Sequence, residues 1–200
     1  MKRIFFSLLL IIVSALNGLA QTPKEVLDKC ASVIGSTDGF KASFRMESAQ
    51  YGNYNGTIVV KGRKFYATTP VASMWFDGTT QWTYLQRNDE VSVTNPTEAQ
   101  LQAINPYNFL NMYKQGYKYT MTSSDVSFRV HLTATEAQRK IQEVFITISK
   151  KNYHPSEIKM RQGQKWTTFY VSDLKIGKQE DSIFKFDSKD FPTAEIIDLR

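Results

Sequence analysis

Two histidines, one cysteine and a scatter of carboxylates are the groups in this 200-residue chain that could carry chemistry. An imidazole acting as a general base needs a nucleophile or a metal beside it. His131 sits where Val126, Phe128, Val130 and Leu132 alternate with Ser127, Arg129, His131 and Thr133, so it falls on the polar side of a strand and reads as solvated. His154 precedes Pro155 in a turn. Cys30 recurs at helical spacing with Val26, Leu27, Val33 and Ile34, which makes it a small buried hydrophobe. No Cys-x-x-Cys pair, His-Glu-x-x-His helix or calcium loop is present, so no metal or cofactor is implied. Gly35-Ser36-Thr37-Asp38-Gly39 has the outline of a hydrolase elbow, but threonine holds its centre and the segment follows a helix. No glycine-rich phosphate loop joins a strand to a helix. Acid–base work by two carboxylates depends on distance in space, and Asp77 and Glu157 are the pair to test for an exported hydrolase. The balance of these features predicts a protein that is not an enzyme.

What the chain has in quantity is apolar bulk, with 26 aromatic residues among the 200. Met74, Trp75 and Phe76 are consecutive, and Trp82 and Tyr84 share one side of a strand with Leu85 on the other. A sheet apolar on one face and partly apolar on the other is either covered twice or encloses a cavity. A solid core of aromatics and a ligand cavity both fit the residue types.

The elements that would position these side chains follow from periodicity. Met1-Lys2-Arg3 and the apolar run Ile4–Leu16, closing on Gly18-Leu19-Ala20, read as a signal peptide over residues 1–20, leaving one domain over 21–200. The run is too short to span a bilayer. Without Lys2 and Arg3 the chain carries a charge of +4, a mild basicity. Export turns this away from nucleic acid and toward an anionic membrane surface or an acidic partner, and an ordinary solvated surface fits equally. Thr22-Pro23-Lys24-Glu25 caps a helix that Gly35 and Gly39 end. From Phe40 the period becomes two, and strands are expected at Gly56–Lys61, Lys64–Thr69, Ser73–Asp77, Gln81–Gln86 and Glu90–Thr94. Asn95-Pro96-Thr97-Glu98 and Asn105-Pro106 start two short helices, and Gly116 ends the second. Strands resume at Tyr117–Thr122, Val126–Thr133, Ile141–Lys150, Ser156–Gln162, Lys165–Leu174 and Phe184–Phe186. The fold class is mainly β (α+β), a half-open antiparallel barrel of about eleven strands with an N-terminal helix and a short helical lid.

The order of motifs carries a resemblance. Phe40-Lys41-Ala42-Ser43-Phe44, then Asp77-Gly78 with Trp82 and Tyr84 in the spacing D-G-x-x-x-W-x-Y, then Asn105-Pro106 with Phe109-Leu110, resembles the periplasmic outer-membrane lipoprotein carriers, the LolA-type family. Ile148, Pro155, Glu157-Ile158, the strand Thr168–Leu174 and the closing Phe184-Lys185-Phe186-Asp187 with Phe191-Pro192 keep the same order. The resemblance spans nearly all of residues 21–200. It implies a periplasmic chaperone that shelters the acyl chains of lipoproteins between an inner-membrane release complex and an outer-membrane acceptor; the export signal and mild basicity separately point to a soluble monomer with transient membrane-surface contact. It further implies an acyl-chain cavity lined by Phe44, Phe65, Trp75, Trp82, Tyr84 and Met160 under a lid of Ile104, Tyr107, Phe109, Leu110 and Met112. Family members carry an arginine followed by proline at a strand start, where the arginine bonds to the lid. Arg63 in Lys61-Gly62-Arg63-Lys64-Phe65 is the nearest match and lacks the proline, so a surface arginine in a turn fits as well. A sensor or carrier domain for another lipid or glycolipid would share all these features.

Overall fold

The computed structural model describes residues 21–35, 38–97, 100–101 and 112–200. Residues 1–20, Ser36, Thr37, Ile104, Tyr107, Phe109 and Leu110 therefore lie outside the described residues.

Helix α1 (Pro23–Ile34) begins where its caps demand. The Thr22 hydroxyl accepts from the Glu25 amide at 3.2 Å, and the Glu25 carboxylate accepts from the Thr22 amide at 2.8 Å. Val26, Leu27, Cys30 and Ile34 are buried, while Val33 is half-buried at the edge of the stripe. That stripe packs on β7 and β8.

Twelve strands form one sheet: β1 (Phe40–Ser48), β2 (Gly52–Lys61), β3 (Lys64–Thr68), β4 (Ala72–Phe76), β5 (Gln81–Leu85), β6 (Glu90–Thr94), β7 (Tyr117–Ser123), β8 (Ser127–Ala134), β9 (Glu143–Ser149), β10 (Pro155–Gln162), β11 (Lys165–Ile176) and β12 (Glu195–Asp198). Their order is β12-β6-β5-β4-β3-β2-β1-β11-β10-β9-β8-β7. Two meanders thus meet where β1 pairs with β11, and the sheet stays open, with β12 and β7 as its edges. Every pairing is antiparallel except β12 with β6. The expected strand at Phe184–Phe186 is instead a 3-10 turn over Asp181–Phe184. The alternation there reflects rings docking onto the sheet: Phe184 is fully buried against β3 and β4, and its backbone joins no ladder. Thr97 also replaces Asn95 as the second helix cap, since Gln100 accepts from the Thr97 amide at 2.8 Å while the Asn95 side chain accepts from the Thr80 hydroxyl at 3.1 Å.

Register sorts the side chains into two faces. The inner face, under α1, carries Phe40, Ala42, Ile58, Val60, Phe65 and Phe76 from the first meander. It continues through Phe128, Val130, Leu132, Val144, Ile146, Ile148 and Ile158 of the second. The outer face has its own smaller core of Val59, Trp75, Val91, Val93 and Phe184, separate from the inner cluster. The C-terminal strap, residues 177–194, covers it. Gly177 and Gln179 donate to the carbonyls of Gly39 and Asp38, and Lys61 and Lys64 reach Asp181 at 3.2 and 3.0 Å. Gly39, at φ +89, permits this close crossing, since a side chain there would strike the Val60 carbonyl.

Candidate functional site

Away from α1 the inner face remains apolar and only half-buried. Phe44 and Met46 of β1, Met74 of β4, Met160 of β10, and Phe169 and Val171 of β11 all stand on it. Five of these, together with Ala67, pack against the buried cluster, so the strip is a continuous extension of the core toward solvent. Phe44 meets Phe169 edge-on at 6.1 Å and leans over Gly56, where any Cβ would collide with its ring and with the Thr68 carbonyl. Three methionines give the strip adaptable contacts without a fixed shape.

The expected cavity residues divide between the faces. Phe44, Phe65 and Met160 share the inner one, with Phe65 at 1% exposure inside the core, 5.6 Å from Phe76. Trp75, Trp82 and Tyr84 stand on the outer face, because Tyr66 pairs with Trp75 and Trp75 with Trp82 in the parity opposite to Phe65 and Phe76. Trp75 packs against Phe186 at 5.5 Å and Phe191 at 5.6 Å, and Tyr84 against Phe191 at 4.6 Å. The strap is thus the partner of Trp75 and Tyr84. Period two from Phe44 would have found Met46, but Phe169, Val171 and Met74 need the strand pairings.

Of the expected lid, Met112 is described: it opens a 3-10 turn, Met112–Lys114, and packs against the inner core. Next to it Tyr113, 2% exposed, donates to Asp28 of α1 at 2.5 Å, tying this segment to the helix. Burial, then the Asp28 carboxylate, pushes the Tyr113 phenol up. Leu101 is buried in the same cluster. Arg63 is exposed in the β2–β3 turn after Gly62, which adopts φ +56.

The other candidate groups hold structural positions. His131 lies on the outer face as its strand pattern predicts, but it is engaged: Nε2 is 2.9 Å from Glu143, and the ring stacks on Phe145 at 4.1 Å. Glu143 also receives Arg161 at 2.5 Å, and the guanidinium, then His131, holds its carboxyl below the usual range. Burial lowers His154 and pushes the Cys30 thiol up to about 12. Asp77 caps its hairpin, accepting from the Thr79 and Thr80 amides at 2.9 Å, while Glu157 lies 3.8 Å from Arg129 on the other meander. Among the described residues no group of three or more His, Cys, Asp or Glu could hold a metal ion, and no helix is long and apolar enough to cross a membrane. A trough of about 740 Å³ crosses β11, β1, β2 and the end of β3, with Ser172, Ser43, Thr57 and Thr68 in one row and Tyr170, Arg45 and Asn55 in the next.

The family model described as "Outer membrane lipoprotein carrier protein LolA" matches residues 13–164. The comparison with curated proteins gave no match. A solved structure of an uncharacterized conserved protein from Thermus thermophilus shares 10% identity at a TM-score of 0.61, covering 89% of this chain and 99% of that one. The LolA superfamily protein NE2245 from Nitrosomonas europaea is 14% identical at a TM-score of 0.44, covering 84% and 99%. LprF from Mycobacterium bovis is 7% identical at 0.47, covering 80% and 96%. The first of these is a likeness of fold.

Proposed function

The chain belongs to the outer membrane lipoprotein carrier protein LolA family, and from that premise we propose that it is a periplasmic, non-catalytic carrier that holds lipoprotein acyl chains on its half-buried inner strip. The observation that supports this reading is the strip itself: Phe44, Met74, Met160, Phe169 and Val171 extend the apolar core toward solvent on one face of an open sheet, with the half-buried Met46 beside them. Burying one CH₂ contributes about 0.8 kcal/mol, so a chain of roughly sixteen carbons carries on the order of 12 kcal/mol of exposure in water. Unescorted transit is prohibitive, and thioether contacts can be remade at each handover. In this reading Ile104, Tyr107, Phe109, Leu110 and Met112 close over the strip, and Arg63 steadies the closure from the β2–β3 turn. The donor is an inner-membrane release complex and the recipient an outer-membrane acceptor.

The test is binding of a fluorescent apolar probe to the purified protein, followed by competition. One-to-one binding displaced by an acylated peptide and not by the same peptide without its acyl chain supports the proposal. Paired substitution of Phe44 and Met160 by alanine weakens it at least tenfold. Failure to bind the probe, or equal displacement by both peptides, overturns it. Displacement by free lipids alone assigns the strip to another lipid cargo.

A further inference from the structure

The strap covers the outer face over β3 to β6 and leaves the outer face of β1 and β8–β11 uncovered. There, rings and cations alternate across five strands. Arg45 lies 4.3 Å above the Tyr170 ring, Lys159 4.8 Å above Trp166, and Arg129 5.1 Å above Phe145. The three rings are half-buried, and Arg45 and Arg129 keep side-chain exposures of 53% and 50%. Three acids here are matched, Glu47 with Arg45, Glu157 with Arg129, and Glu143 with Arg161 and His131, while the exposed Asp173 of β11 accepts from the Ser172 hydroxyl. Lys159, and the exposed Lys118 two strands away from Glu143 in the same row, form no ion pair among the described residues. The surplus charge is positive.

We propose that this face is a docking surface for an anionic phospholipid bilayer. Tryptophan and tyrosine interleaved with lysine and arginine is the composition of side chains that sit at a membrane–water interface. Each ring is already roofed by a cation, so none presents a bare outward face on which a protein partner's aromatic anchor could stack, and the trough beside Tyr170 and Arg45 is broad and open. A diffuse negative surface needs no pocket. The inference goes beyond the carrier reading and does not rest on it.

The experiment is cosedimentation with vesicles of phosphatidylcholine containing about one third phosphatidylglycerol, against phosphatidylcholine alone. Binding is expected only to the anionic vesicles, with a blue shift in emission that Trp166→Phe removes. A cation near such a surface contributes about fivefold in partition, so Lys118→Ala with Lys159→Ala weakens binding about 25-fold. Lys178→Ala with Lys189→Ala, the same change in net charge on the strap, alters it less than about twofold. No binding, equal losses in the two double variants, or tighter capture by polyglutamate than by the vesicles overturns the proposal. Apolar-probe binding in the Lys118/Lys159 variant stays intact, whereas a failed carrier reading loses probe binding with vesicle binding unchanged.

Discussion

Phe191→Ala separates the two apolar faces. The ring is half-buried and touches three others on the outer face: Trp75 at 5.6 Å, Phe186 at 5.3 Å and Tyr84 at 4.6 Å. Full burial of a phenylalanine side chain contributes roughly 1.5–3 kcal/mol, so half burial leaves about 1 kcal/mol to lose. Aromatic pairs add about 0.5–1.5 kcal/mol each beyond area, and three pairs sharing one ring overlap strongly, which supports about 1 kcal/mol more. The expected cost is therefore about 2 kcal/mol, or about 4–8 °C in Tm for a domain of this size. Urea and thermal unfolding followed by circular dichroism measure it. Apolar-probe affinity should stay within about twofold, because the inner strip lies across the backbone from this cluster. A variant with unchanged Tm and probe affinity reduced tenfold would refute the assignment of Trp75 and Tyr84 to the strap and return them to the ligand.

Gly56→Ala drives a methyl group into the Phe44 ring and the Thr68 carbonyl; because the carbonyl cannot yield, a loss of about 1–3 kcal/mol is expected in urea unfolding, only partly relieved by Phe44→Ala. Glu143, held down by Arg161 and then His131, releases its proton at lower pH in the folded state than its usual 4.5. The unfolded chain thus binds more protons in that window, so the stabilisation is full above about pH 4.5 and fades as pH falls through the folded value. Acid titrations of Glu143→Gln should show a flatter limb below pH 4.5, and an unchanged limb would count against this. Cys30, buried and with its thiol raised to about 12, should resist a maleimide in buffer and react completely in denaturant. Labelling at the rate of a free thiol would show that α1 does not seal it.

Elements with a local signature were legible. Glu90–Thr94 alternates cleanly, and its observed bounds coincide with the pattern. The Thr22 capping box forms because all its partners lie within four residues. What escaped was set by distant partners. Trp75 lies between Met74 and Phe76, and with bulk at all three positions period two cannot say which face is which; the strap more than 100 residues away decides it. Glu195–Asp198 is a four-residue strand paired in parallel to β6, with no turn linking the two to announce it. Thr97-x-x-Gln100 and Asn95-x-x-Glu98 match the same capping pattern, and the choice fell to the Thr80 hydroxyl that occupies Asn95. His131 was placed on its face correctly, but Glu143 and Phe145 reach it from a neighbouring strand.

The second core bears directly on how an open sheet can keep an apolar strip available. A sheet that fills its inner face with its own side chains gains the most apolar burial but leaves nothing for a guest. Each of the six strip residues left half-exposed forgoes roughly 1 kcal/mol. The outer face returns that stabilisation, because Val59, Trp75, Val91, Val93 and Phe184, each with exposure of 8% or less, contribute roughly 2 kcal/mol apiece. Their position matters as much as their number: they clamp β2 to β6 from behind, through a strap pinned at Gly39 and Asp181. The strands bearing Met74 and Ala67 are thereby held without any demand on the inner side. On the proposed carrier reading, an apolar guest entering or leaving the strip would then change the contacts of its methionines and not the pairing of the sheet.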